Sequence, residues 1–99
     1  MLDKEAYDNL SAFRIERAES NLEDAKLLFS SAKYNSSASC AYYAIFNSLR
    51  AILATEGVDF KKHSGIISYF QKQYIKTGIF DREISDYVRD AFTVRNDSD

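Results

Sequence analysis

The chain has 99 residues, of which 45% are hydrophobic and 14% aromatic, and its formal net charge is −2. That length suits a single domain over residues 1–99, and that composition excludes an intrinsically disordered chain. The slightly acidic balance argues against a protein that binds nucleic acid through its whole surface, and leaves room only for a local basic cleft. Proline is absent and glycine occurs three times. Because a β-rich chain needs more turn residues than this, we expect an all-α fold.

The cysteine content and the hydropathy pattern indicate a cytoplasmic protein. The single cysteine, Cys40, cannot form an internal disulfide, which fits a reducing compartment. No run of residues approaches the ~18 apolar positions of a membrane span, and the acidic first residues are not typical of a signal peptide. We therefore expect no membrane partner.

The first predicted element is a long helix over residues 3–32, a stretch without glycine or proline. Asp3 and Glu5 supply the negative charge that a helix N-terminus favours. One apolar seam follows steps of three and four residues, at Ile15, Ala18, Leu22, Ala25, Phe29 and Ala32. An upstream apolar stripe does not join this seam smoothly, so we expect a bend or a break near residues 9–12. The charged residues, Arg14 among them, are predicted to form a solvated face.

The second predicted helix, residues 37–57, is the one around which the chain is organised. Asn35 or Ser36 is its predicted N-cap, and Gly57 is predicted to end it. Its apolar arc is broad enough to pack against several neighbours, and consists of Ala38, Ala41, Tyr42, Ile45, Phe46, Leu49, Ile52 and Leu53. A second stripe on the other side, spaced i, i+4, i+7 and i+11, contains Tyr43, Asn47, Arg50 and Ala54. This stripe is a candidate groove or interface, and ordinary packing or a solvated surface is the alternative.

Two further helices complete the prediction of an antiparallel up-and-down bundle of four main helices. The third begins at His63 or Ser64 and reaches about Lys76, with Ile66, Ile67, Phe70 and Tyr74 facing inward. The fourth is capped by Asp81, and its predicted inward positions are Ile84, Tyr87, Val88, Ala91 and Phe92. The same spacing continues to Arg95. An arginine at that position either extends off the end of the core or occupies an interfacial polar site.

Few residues suggest chemistry. Glycine-rich phosphate loops, zinc-protease motifs and cysteine–histidine ligand pairs are all missing from the sequence, so we expect no cofactor and no metal. His63 lies at a predicted helix start and is either structural or a titrating member of the candidate groove. Arg95 and Asn96 are the candidate catalytic residues, because a guanidinium beside an amide suits phosphate. The alternative for both is a frayed helix end.

Three stretches of the chain resemble the HEPN domain family. Residues 41–46, Ala-Tyr-Tyr-Ala-Ile-Phe, look like its AYYAxF signature, and residues 62–65, Lys-His-Ser-Gly, look like the (K/T)HSG turn of its UPF0332 branch. Residues 95–99, Arg-Asn-Asp-Ser-Asp, are similar to the Arg-x-x-x-Asp ending of that branch. The resemblance spans roughly residues 12–99.

The resemblance implies a helical bundle that usually dimerises and is often encoded beside a minimal nucleotidyltransferase, as a toxin–antitoxin pair. Active members cut RNA without metal, with an Arg followed after four to six residues by a His, at a site formed across the dimer. Arg95-Asn96 matches the first half of that motif, and the His is not present in this chain, which ends at Asp99. We expect a bundle without the further C-terminal helix that is common in the family.

Two functional hypotheses fit these residues. The first is a HEPN module of a nucleotidyltransferase/HEPN pair, a homodimer whose metal-independent cleavage of RNA is weak or absent because the motif is incomplete in this chain. The second is a non-catalytic module that binds a nucleotide or a partner protein through the groove beside the second helix.

Overall fold

A computed structural model describes the backbone of residues 3–98 and the side chains of residues 3–93. In this range the regular elements are four α-helices and one π-helical segment: α1 (Lys4–Ser30), α2 (Tyr34–Ala54), α3 (His63–Phe70), the π-helical segment (Gln71–Ile75) that continues α3, and α4 (Arg82–Ser98). No strand occurs among these residues. The predicted all-α bundle of four main helices is confirmed. None of its helices is long and apolar enough to cross a bilayer.

α1 is one helix of 27 residues. The carboxylate of Asp3 caps it by accepting a hydrogen bond from the Ala6 amide at 2.9 Å. Of the bend or break predicted near residues 9–12, the break is wrong, because the helix continues through this stretch. In this stretch the Ser11 hydroxyl donates to the Ala51 carbonyl of α2 at 2.8 Å, which joins α1 to the end of α2.

The connection between α1 and α2 is tighter than predicted. The Lys33 amide donates to the Leu28 carbonyl at 2.9 Å and the Ala32 amide to that of Phe29 at 3.0 Å, which is the Schellman ending of a helix. Ala32 occupies the left-handed conformation of this motif, with φ of +60°. The chain therefore reverses early, and α2 begins at Tyr34 with Lys33 in the N-cap position. The prediction of Asn35 or Ser36 as N-cap is wrong.

α1 and α2 run antiparallel. Three hydrogen bonds between the helices show this direction, and they join Ser11 to Ala51, Asn21 to Asn47, and Ala25 to Ser37. Partners further along α1 lie earlier in α2. Of the predicted seam on α1, the small residues Ala18 and Ala25 are buried. The larger Ile15, Leu22 and Phe29 are 40%, 45% and 64% exposed. The alanines let the two helices approach closely, and the larger side chains are left at the edges of the contact.

α2 packs against α1, α3 and α4, as its broad apolar arc predicted. The buried core joins residues of three helices and consists of Tyr42, Phe46, Leu49, Leu53, Ile66, Phe70 and Val88. α2 supplies four of these seven side chains. The central helix thus connects two halves of the domain, with α1 on one side and α3 and α4 on the other.

α4 packs through its middle rather than its start. Val88 is 4% exposed, and Ala91 and Phe92 pack against the core. Ile84 and Tyr87 are 36% and 54% exposed, so their predicted inward positions are wrong. The first turns of α4 lie instead over the π-helical segment, where Gln71 Nε2 donates to the Ser85 hydroxyl at 3.1 Å.

The end of α2 has the predicted glycine. Gly57 has φ of +70°, the Val58 amide donates to the Leu53 carbonyl, and the Gly57 amide donates to that of Ala54. These two bonds form a second Schellman motif with Gly57 in its left-handed position. A Cβ there would lie 2.5–2.8 Å from the ring of Tyr7. Glycine therefore permits both the turn and the close approach of α1 to the loop that follows.

Candidate functional site

The loop between α2 and α3 is held by two arginines that share one carboxylate. Nη2 of Arg14 lies 3.1 Å and Nη2 of Arg50 lies 3.0 Å from the same oxygen, Oδ2 of Asp59. Nη1 of Arg14 also donates to the carbonyl of Arg50 at 3.1 Å. α1, α2 and the loop are thus joined at one point, and one negative charge faces two positive ones.

Asp59 stays ionised in this arrangement. Its partial burial acts to raise its pKa, but the hydrogen bond from Arg50, the bond from the Phe60 amide and the charges of Arg50 and Arg14 outweigh that effect. The pKa of Asp59 is therefore held below its ordinary value. Its second oxygen, Oδ1, accepts the Phe60 amide at 2.8 Å, so both oxygens have partners.

A cavity of about 350 Å³ opens beside this cluster, and it is lined by Phe46, Arg50, Asp59, Phe60, Lys61 and His63. The first turn of α3 borders it, since α3 begins at His63. Lys62 occupies the N-cap position and its side chain makes no capping hydrogen bond. The amide groups of this turn and the positive end of the helix dipole thus add to the charge of the two basic side chains in the lining.

His63 is fixed by contacts with α2. Its Nδ1 lies 2.9 Å from the hydroxyl of Tyr42, a residue only 2% exposed. The imidazole also packs on Phe46, with ring centroids 4.0 Å apart, and meets the ring of Tyr43 edge-on at 6.4 Å. The two tyrosines and the phenylalanine of the signature-like stretch therefore orient the histidine of the Lys-His-Ser-Gly turn.

α4 also contacts the surroundings of His63. The ring centroid of Phe92 lies 6.0 Å from that of Tyr42, whose hydroxyl contacts His63. The backbone of Arg95 and Asn96 belongs to the last turn of α4, one helical turn after Phe92. The side chains of these two candidate catalytic residues lie outside the described residues.

The predicted groove is brought together in part. Arg50 and His63 line one cavity, and Tyr43 touches the ring of His63. Asn47 does not line that cavity, because its Nδ2 donates to Oδ1 of Asn21 on α1 at 2.8 Å. Ala54, the fourth member of the stripe, is 2% exposed and packs in the interior. The second stripe of α2 therefore divides between contacts to α1 and the cavity.

Sequence reasoning missed the residues that hold the loop. Arg14 was predicted to lie on a solvated face, but it is 8% exposed and bonded to the loop. Asp59 was not singled out, because an isolated aspartate in a loop shows no periodicity. The signal that was present is a lysine pair two residues after it, at positions 61 and 62.

Other places in the described residues offer less chemistry. Residues 3–93 contain no group of three or more His, Cys, Asp or Glu side chains that could hold a metal ion. Cys40 is a half-buried thiol without a disulfide. A second cavity of about 350 Å³ lies between α1 and α2, and its lining includes the apolar Ile15, Leu22 and Ile45.

Comparison with known proteins gives the family. The family model described as HEPN domain matches residues 11–99. The chain belongs to the HEPN domain family. The HEPN fold is helical, which agrees with the observed bundle.

Three similar proteins place this HEPN domain in the UPF0332-like branch. The "Putative toxin MJ0142" of Methanocaldococcus jannaschii is 38% identical over 85 residues, which cover 86% of this chain and 58% of that protein. A "UPF0332 protein" of Thermotoga maritima is 35% identical over 83 residues, 84% of this chain and 63% of that protein. The "Putative toxin MJ0605" of Methanocaldococcus jannaschii is 34% identical over 95 residues, 96% of this chain and 70% of that protein. The chain thus matches about three-fifths of the length of the first two. No solved structure matches it significantly.

Proposed function

We propose that this HEPN domain is the RNA-directed module of a toxin–antitoxin pair and that it cleaves RNA without a metal ion. Family membership supports the proposal, because metal-free RNA cleavage is what resemblance to active HEPN members implies. The names of the two Methanocaldococcus relatives, which carry the word toxin, support it as well.

The observation that carries the proposal is the contact of α4 with the His63 turn. Phe92 packs on Tyr42, and Tyr42 bonds the imidazole of His63. Arg95 follows Phe92 by three residues in the same helix, a rise of about 4.5 Å along its axis. Because α4 packs on Tyr42 through Phe92, we propose that Arg95 and His63 act on the same RNA substrate.

Metal-free RNA cleavage needs a group that transfers protons and a group that stabilises negative charge. The 2′-oxygen attacks the adjacent phosphorus while the bond to the 5′-oxygen breaks, which leaves a 2′,3′-cyclic phosphate and a 5′-hydroxyl. The attacking hydroxyl loses a proton, the leaving oxygen gains one, and negative charge develops on the phosphoryl oxygens. We assign stabilisation of that charge to Arg95, with Asn96 as an adjacent donor, and proton transfer to His63.

Incubation of the full-length protein with single-stranded RNA in EDTA tests the proposal. Cleavage should occur, Arg95→Ala should slow it by about 100-fold or more, and Arg89→Ala, an exposed arginine of the same helix, should leave it unchanged. Cleavage that survives Arg95→Ala would contradict the assigned site. Cleavage that is lost in Arg95→Ala but unchanged in His63→Gln would overturn only the role of His63.

We further propose that the module is a homodimer and that a minimal nucleotidyltransferase is its partner protein. The apolar cavity between α1 and α2 supports a protein interface, because Ile15 and Leu22 expose 40% and 45% of their surface there. Sedimentation should show a dimer at micromolar concentration. A monomer throughout that range would count against a site shared between two copies.

A non-catalytic module is the second candidate function. The cavity beside His63 favours it, because aromatic and basic side chains line a volume of about 350 Å³, which suits a small ligand without any cleavage step. If the protein binds RNA or a nucleotide but does not cleave RNA in EDTA, the result would favour this second candidate.

A further inference from the structure

We propose that the cavity beside His63 is a nucleotide pocket, in which Arg50 and Lys61 hold a phosphate and Phe60 stacks on the adjoining base. The ligand is a nucleotide, either as part of a single-stranded RNA or free in solution. This inference rests on the proposed function for the class of ligand. It adds a second contact to RNA that does not involve Arg95 or the chemistry assigned to it.

The charge of the pocket favours an anion. Arg14, Arg50 and Lys61 carry three positive charges around Asp59, which carries the one negative charge of the cluster. Lys61 forms no ion pair with any of the described residues, and Asp59 is already bonded through both oxygens. Two positive charges therefore remain uncompensated in a protein whose formal net charge is −2. This is the local basic cleft that the overall composition leaves room for.

Arg50 has a donor without an acceptor. Its Nε is buried, and no atom of the described residues accepts a hydrogen bond from it, while Nη2 of the same group is bonded to Asp59. A buried donor of a charged group is costly to leave unsatisfied. The Arg50 side chain as a whole is 31% exposed and lines the cavity, so its accessible part can donate to a phosphate oxygen there, as guanidinium groups favour.

The start of α3 adds donors to the same pocket. α3 has eight residues and begins at His63 without a side-chain cap at Lys62. The positive end of a helix dipole and its first amide groups attract a phosphate, and they do so here beside two basic side chains. The charge excess and the uncapped helix start are two separate features of one cavity.

Phe60 provides a surface for the base. Its side chain is 42% exposed, yet it is fixed by packing on Tyr69, with ring centroids 5.6 Å apart. Gly65 allows this position, because a Cβ at Gly65 would lie 3.0 Å from Cβ of Phe60. An exposed aromatic ring next to a basic pocket is the arrangement by which proteins stack the bases of single strands.

Binding of a labelled 2′-O-methyl RNA octamer, followed by fluorescence anisotropy in EDTA, tests the pocket in the full-length protein. This RNA lacks the free 2′-hydroxyl, so its binding does not depend on cleavage. Lys61→Gln should weaken binding by about three- to tenfold and reduce the slope of log affinity against log salt by about one. Arg50→Lys should weaken binding similarly, because it retains a charge for Asp59 and removes the planar guanidinium. Lys72→Gln, an exposed lysine on the π-helical segment, is the matched control and should change nothing.

Competition by AMP identifies the source of the nucleotide. Displacement of the octamer by AMP at millimolar concentration, with weaker displacement from Lys61→Gln, would show a pocket for a free nucleotide. Octamer binding that depends on Lys61 but resists AMP would show a pocket for a strand. Either result supports the proposal, and it is overturned if the octamer and AMP both fail to bind, or if Lys61→Gln and Arg50→Lys bind as the wild type does.

Failure of the pocket and failure of the proposed function give different results. If the wild type cleaves RNA and Lys61→Gln and Arg50→Lys bind the octamer as tightly as the wild type does, only the nucleotide pocket is overturned. Octamer binding that depends on Lys61, in a protein that cleaves no RNA, would overturn the cleavage alone.

Discussion

Arg14 on α1 and Asp59 in the loop after α2 form an ion pair of 3.1 Å between Nη2 and Oδ2, and the arginine is only 8% exposed. The pair lies 45 residues apart in sequence. It fixes the loop that carries Lys61 and leads into His63, so the geometry of the candidate site depends on a residue of the first helix.

Replacement of Arg14 should therefore destabilise the domain. Arg14→Gln removes the ion pair with Asp59 and the hydrogen bond to the Arg50 carbonyl. We expect a loss of about 1–3 kcal/mol in the free energy of unfolding, less than for a fully buried pair because Asp59 is partly solvated. Urea denaturation followed by circular dichroism measures it. Arg17→Gln, at an exposed position of the same helix, should stay within about 0.5 kcal/mol of the wild type; equal losses in both variants would show that the pair is unimportant.

The contribution of Asp59 should depend on pH in one direction. Its pKa is lowered in the folded protein, so the unfolded chain takes up its proton first as pH falls. The stability that Asp59 supplies is fully present above its ordinary pKa of about 4 and is lost as pH falls through the lower folded value. The difference in unfolding free energy between the wild type and Asp59→Asn should thus be constant near neutrality and shrink below about pH 4. A difference that grows on acidification would contradict the direction of the shift.

The two left-handed glycines should differ in their tolerance of a side chain. Gly57 has φ of +70° and the ring of Tyr7 beside it, whereas Gly78 has φ of +80° and no atom within 4 Å of a built Cβ. Gly78→Ala should cost about 1 kcal/mol of backbone strain, and Gly57→Ala about 2 kcal/mol, because the Tyr7 ring must also move. Thermal and urea unfolding of the two variants would test this order. Equal losses would mean that the contact with Tyr7 has no energetic weight.

Ala32 is the converse case. Among the described residues, Ala32 has a positive φ, +60°, although it is not a glycine. It lies in the Schellman motif that ends α1. Ala32→Gly should stabilise the domain by about 0.5–1 kcal/mol, since glycine adopts this conformation without the Cβ penalty. Ala12→Gly, at an exposed position within α1, should destabilise it by about 1 kcal/mol. The opposite signs of the two changes are the result to look for, and destabilisation by both would refute the strain at Ala32.

The helices could be predicted from the sequence because their patterns are local. The apolar arc of α2 and the glycine at position 57 each depend on neighbouring residues, and both predictions are confirmed. The faces of α1 and α4 were predicted less well. Ile84 and Tyr87 follow the helical period, yet they are exposed because the π-helical segment, and not the core, lies under the first turns of α4.

The candidate site could be predicted only where a residue belongs to a motif. Arg50 and His63 were identified from helix spacing and from the Lys-His-Ser-Gly turn, and they line one cavity. Asn47 shares the stripe with Arg50 but bonds to Asn21, because the surface of α1 reaches that part of α2. Arg14 and Asp59 could not be found, since their contact joins distant parts of the chain and neither residue repeats with a helical period.

The presence of a nucleotide beside α2 is tested most directly by the NMR signal of the Arg50 Nε–H group. This donor has no acceptor among the described residues and belongs to a guanidinium that lines the cavity, so a phosphate bound by the same guanidinium should shift its resonance. Titration with 2′-O-methyl RNA should move the Arg50 signal and leave that of Arg82, which lies at the start of α4 away from the pocket, in place. An Arg50 signal that does not move while RNA binds elsewhere on the protein would contradict a nucleotide site between α2 and the His63 turn.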